Sequence, residues 1–105
     1  MIASDHDFSE EHKAKAKQLR LTIWCNIAIC QDKLGEWADA VRSCNEALSL
    51  DPDCIKALFR RGCVHSASGE FARAREDLTA ALRVRGNIIG HARSNMWVNL
   101  SHAWL

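Results

Sequence analysis

Apolar residues recur along this chain at spacings of three and four. Val41, Cys44 and Leu48 form one such stripe, and Leu78 and Leu82 form another. That period belongs to amphipathic helices that bury one face. Gly35, Asp51-Pro52, Gly69 and Arg85-Gly86-Asn87 interrupt it. Glycine permits the left-handed turn that ends a helix, and proline cannot continue a helical hydrogen-bond ladder. Helices are therefore predicted over roughly Glu10–Leu34, Glu36–Leu50, Cys54–Ser68 and Glu70–Val84. A last helix is expected over Ile88–Trp104.

The stripes repeat with a period of 34 residues: Ala28 aligns with Gly62, Gly35 with Gly69, Trp37 with Phe71, Ala40 with Ala74 and Ala47 with Ala81. No gap is needed. Small residues at 28 and 62 let paired helices approach closely, the glycines reverse the chain, and Trp37 and Phe71 add bulk where the next helix starts. The pattern predicts an all-α solenoid of stacked helical hairpins, with a concave face. Residues 1–20 are read as a polar extension of the first helix, 21–54 and 55–88 as repeats, and 89–105 as a C-terminal capping helix. Ser9, followed by Glu11 and His12, is a plausible helix start.

Composition narrows the function. The 105 residues suffice for one small domain, and 14 basic side chains nearly balance 13 acidic ones. That balance argues against a nucleic-acid binder, and no run is apolar enough to span a membrane. No secretory leader is read in Met1–Glu11. The five cysteines are odd in number and lack CxxC spacing, so free thiols in a reducing cytoplasmic or nuclear compartment are expected. Cys30, Cys44 and Cys63 are expected in the core and Cys54 at the surface. No metal site, cofactor or catalytic constellation is expected, because neither ligand spacing nor a nucleophile–base–orienter set occurs.

These residues resemble the tetratricopeptide repeat family, with Asp51-Pro52 matching its usual repeat ending. The stretches from Lys17 to Ala28, Ser43 to Leu48 and Lys56 to Gly62 look like the second and third repeats of the large FK506-binding immunophilins and related Hsp90 co-chaperones. The resemblance implies a protein-interaction module that binds the acidic C-terminal peptide of Hsp90- or Hsp70-type chaperones. In that family five residues hold the peptide's terminal carboxylate and a neighbouring aspartate. Asn26, Lys56 and Arg60 occupy three of these positions. The lysine and asparagine of a first repeat have no counterpart here, nor has the isomerase domain, so the resemblance implies no enzyme activity.

The residues themselves are compatible with that role. Asn26 and Arg60 share one phase of successive repeats, and Lys56 and Arg60 lie one helical turn apart. Without the resemblance, Lys56 and Arg60 are read first as solvent-facing charges that keep the module soluble. Arg61 should point away from their face, and Arg73, Arg75 and Glu76 read as a mixed solvated surface.

The ends carry a second functional reading. With no preceding repeat, Trp24, Ile27 and Cys30 would be uncovered. Near the other end, Ile88, Ile89, Ala92, Met96, Leu100 and Ala103 form a stripe, with Trp97 and Trp104 beside it. Either this helix is an oversized cap, or the chain self-associates through Trp24, Trp97 and Trp104 into a homo-oligomer, as a structural repeat without a working clamp.

Overall fold

The computed structural model describes the backbone of residues 9–104 and the side chains of residues 9–89. Among the described residues every regular element is a helix: α1 Glu10–Lys33, α2 Trp37–Leu50, α3 Ile55–Ala67 and α4 Phe71–Trp104.

Each boundary has a local cause. The Ser9 hydroxyl accepts the His12 amide proton at 3.2 Å, and Glu10 and Glu11 stand in the first turn, where the helix dipole favours negative charge. At the other end of α1, Gly35 adopts φ +77° and the Glu36 amide donates back to the Gln31 carbonyl at 2.9 Å. The same closure recurs one repeat later. Gly69 has φ +89°, and the Glu70 amide donates to the His65 carbonyl at 2.8 Å. These glycines therefore stand where an L side chain would be strained. Between the hairpins, α2 stops before Pro52. The Asp51 carboxylate accepts the Asp53 amide at 3.1 Å, and the Asp51 carbonyl accepts the Cys54 amide.

Three antiparallel packings build the stack: α1 on α2, α2 on α3 and α3 on α4. One buried cluster joins Leu21, Cys25, Ala47 and Ala57, with Trp24, Leu50 and Cys54 against it. A second joins Leu58, Ala81 and Val84, with Ile55 and Ala80 alongside. Leu48 touches both clusters and so couples the two hairpins. Ala28 and Gly62, in the same phase, are both buried. A Cβ on Gly62 would lie 2.8 Å from Leu78, so α3 and α4 meet there through the missing methyl group.

The structure departs from the sequence expectations at several points. No break occurs at Arg85-Gly86-Asn87; α4 runs continuously through it. Gly86 lacks a positive φ and no proline follows it, so it only weakens the helix, by about 1 kcal/mol relative to alanine. The expected C-terminal helix is thus the continuation of α4 and not a separate element folded back as a cap. Leu82, expected on the buried stripe, is consequently 66% exposed, and Ile88 and Ile89 are exposed as well. The stripe beyond Ile89, including Trp97 and Trp104, lies outside the described side chains. Cys30 is exposed, not in the core, because it faces the uncovered side of α1; Cys54 is half-buried, not exposed, because it packs on the Leu21–Cys25 cluster. Cys44 is buried and Cys63 half-buried.

Candidate functional site

α1 and α3 are the first helices of successive hairpins and lie side by side. Their facing sides form a cleft of about 260 Å³ lined by Thr22, Cys25, Asn26, Ile29, Lys56, Phe59 and Arg60. All three side chains singled out from the sequence therefore line one cavity. Asn26 and Lys56 are exposed, and Arg60 is half-buried. Phe59 and Ile29 give the cleft an apolar wall beside its cationic groups.

Arg60 is not free. Its Nη1 donates to Oδ2 of Asp32, near the end of α1, at 3.1 Å, and both side chains are half-buried. Among the described residues, Lys56 has no carboxylate within ion-pair distance. The cleft thus offers a flexible ammonium, a neutral amide and a guanidinium with N–H groups beyond the one that Asp32 accepts. Such a set suits a carboxylate: the ammonium supplies charge, the fork supplies planar hydrogen bonds and the amide can accept or donate.

Cysteine enters the cleft as well. Burial pushes the Cys25 thiol up to about 11, helped by the neighbouring Cys54 sulfur and opposed by Lys56. Cys44, deeper in the core, is pushed up to about 12, again first by burial and then by Cys25. Both are protonated thiols at neutral pH.

Arg61 points away from the cleft, as its position next to Arg60 on a helix requires. Its destination was not legible in the sequence. Its Nε and Nη2 donate to the two oxygens of Asp77 at 2.8 and 2.7 Å, and its Nη1 donates to Asn45 at 2.8 Å. The Asp77 carboxylate raises the Arg61 guanidinium above its ordinary value, chiefly through these hydrogen bonds. His65 joins from α3, with Nδ1 3.0 Å from Glu70 and Nε2 3.7 Å from Asp77. A signal for this seam exists in the repeat phase. Gln31 and Ser43 stand 34 residues before His65 and Asp77, and the Ser43 hydroxyl donates to Gln31 Oε1 at 2.6 Å. Each hairpin therefore carries one polar bridge at the same level. Arg73, read as solvated surface, is exposed and lies 3.6 Å from Glu70.

Trp24 is half-buried against the Leu21–Cys25 cluster. The exposed apolar stripe on α1 is instead Leu19, Ile23 and Ile27, at 63%, 48% and 36% exposure. No described helix is long and apolar enough to cross a membrane.

Comparison with known proteins agrees with the helical-repeat fold. Two models described as tetratricopeptide repeat match residues 22–54 and 55–88. The chain is 42% identical over 83 residues to the human peptidyl-prolyl cis-trans isomerase FKBP4, a match covering 79% of this chain and 18% of that protein. It is 39% identical over 65 residues to the Arabidopsis thaliana peptidyl-prolyl cis-trans isomerase PASTICCINO1, covering 62% of this chain and 10% of the relative. A mouse FK506-binding protein-like protein is 38% identical over 65 residues, covering 62% of this chain and 19% of its own. The chain thus spans less than a fifth of each of these relatives. What it matches in the FK506-binding proteins is their repeat region.

Proposed function

This chain belongs to the tetratricopeptide repeat family, and we propose that it is a protein-interaction module whose α1–α3 cleft binds the acidic C-terminal peptide of an Hsp90- or Hsp70-type chaperone. The observation that carries this reading is the convergence of Asn26, Lys56 and Arg60 on one cleft. In the proposed complex Lys56 and Arg60 hold carboxylate oxygens, and Asn26 holds the peptide backbone or terminus. Charge-assisted bonds to a partly buried carboxylate are worth about 1.5–3 kcal/mol each. The chain acts as an adaptor in the cytoplasm or nucleus, without chemistry of its own.

Titrating a peptide ending in Glu-Glu-Val-Asp into the chain tests the proposal. Saturable binding should weaken roughly tenfold or more on Lys56→Ala and on Arg60→Ala. It should also weaken with added salt. Undetectable binding, or binding indifferent to both substitutions, would overturn it.

A second reading has one observation in its favour. Leu19, Ile23 and Ile27 form an exposed stripe on α1, on the side where a stacked repeat would receive its neighbour. Self-association through that face gives a sedimentation mass that rises with concentration and falls back on Ile23→Lys. A mass that stays monomeric at all concentrations removes this reading.

A further inference from the structure

Cys25 and Cys54 are 29 positions apart in sequence, but the fold brings them into one cluster. Cys25 is buried in the middle of α1. Cys54 is half-buried and immediately precedes α3 as its N-cap residue, yet its side chain makes no capping hydrogen bond. Its sulfur instead packs against that cluster, beside the Cys25 thiol. The pair borders the cleft, since Cys25 lines it beside Asn26 and Cys54 lies two residues before Lys56.

We infer that Cys25 and Cys54 form a redox-active thiol pair, which a small-molecule disulfide converts into an intramolecular disulfide joining the start of α3 to the middle of α1. The partially accessible Cys54 meets the oxidant first. As thiolate, it attacks one sulfur of the oxidant's S–S bond, which breaks and releases one thiol after protonation. Cys25 then gives its proton to solvent and attacks the Cys54 sulfur, and the second oxidant thiol leaves. The balance is two protein thiols plus one small disulfide, giving one protein disulfide plus two small thiols. Two electrons pass from the protein to the oxidant.

The other cysteines are placed differently. Cys44 is 1% exposed, so an external disulfide does not reach it. Cys30 is exposed on α1, and Cys63 lies within α3 and outside the cluster that holds Cys25 and Cys54. Burial holds Cys25 protonated, with its thiol up to about 11. The closing step therefore needs a rare thiolate and should speed about tenfold per pH unit between pH 7 and 9. This inference does not rest on peptide binding.

The test treats the reduced full chain with oxidised glutathione, quenches it in acid, unfolds and alkylates it, and maps the cross-links by tandem mass spectrometry. The expected result is a Cys25–Cys54 cross-link, with both residues lost to alkylation together. Cys54→Ser should leave Cys25 fully alkylated. Serine is a favoured N-cap residue, so this variant should retain its helical circular dichroism. Cys25→Ala should instead trap a lasting glutathione adduct on Cys54. A stable adduct on Cys54 in the unsubstituted chain, a cross-link from Cys25 to Cys30 or Cys44, or Cys25 still reduced after treatment would each overturn the inference.

Discussion

Arg61 on α3 grips both carboxylate oxygens of Asp77 on α4, at 2.8 and 2.7 Å. Asp77 is nearly inaccessible, and a third donor of the same guanidinium reaches Asn45 on α2. One arginine therefore ties three helices together on the side of α3 opposite the cleft. Its neighbour Arg60 faces the cleft. Two adjacent arginines thus divide between holding the stack together and lining the cleft.

Breaking the buried pair from one side should be costly. Asp77→Asn preserves shape but leaves the Arg61 charge without its counter-ion. A loss of about 2–4 kcal/mol is expected in urea unfolding at neutral pH. A loss below about 0.5 kcal/mol would mean that solvent already screens the pair.

The cleft pair Asp32–Arg60 should behave in the opposite way in a binding assay. In the proposed complex Asp32 would compete with the peptide carboxylate for the guanidinium and would repel the acidic peptide. Asp32→Asn should raise affinity for the Glu-Glu-Val-Asp peptide about two- to fivefold, the worth of a partly exposed ion pair. Calorimetric titration of both chains measures the ratio. A fall in affinity would mean that Asp32 instead holds Arg60 in its binding orientation.

Gly62 and Leu78 form a volume-matched pair. A methyl group at 62 would meet Leu78 Cγ and Cδ2 at 2.8 Å. Gly62→Ala should therefore destabilise by about 1–2 kcal/mol, despite alanine's better helix propensity. In a Leu78→Ala background the obstruction is gone. There the same substitution should stabilise by up to about 1 kcal/mol. A double-mutant cycle by denaturant unfolding checks the change of sign.

Alkaline pH should weaken the fold through its core thiols. Cys25 and Cys44 are held protonated in the folded chain up to about 11 and about 12, against an ordinary value of 9.0. Above pH 9 the unfolded chain loses these protons while the folded chain keeps them, so stability falls as pH rises. The slope is roughly 1.4 kcal/mol per pH unit for each such thiol, until the folded-state value is reached. Cys44→Ala should flatten the pH dependence measured by urea unfolding between pH 9 and 11.

The sequence by itself determined what is local or repeats with the chain. The 34-residue period placed the glycines at 35 and 69, and both turned out to carry the positive φ that closes a hairpin. A helix turn is written in a few neighbouring residues, and burial of one face is written in a period of 3.6, so both survive in one dimension. The phase of Asn26, Lys56 and Arg60 likewise sufficed to bring them to one cleft. Even the pairing of Gly62 with Leu78 has a trace, because the equivalent positions in the first repeat hold Ala28 and Cys44, a larger residue with a smaller one.

Tertiary structure alone decided which neighbour each side chain would meet. That Arg60 takes Asp32 while Arg61 takes Asp77, and that Cys54 turns inward onto Cys25, depends on how far one helix rotates against another. A rotation of a fraction of a turn exchanges partners without altering the hydrophobic period. Continuity of α4 past Gly86 was decided in the same way, because a glycine ends a helix only where the chain turns on it. Here the backbone continues in the helix, and Leu82, Ile88 and Ile89 stay exposed.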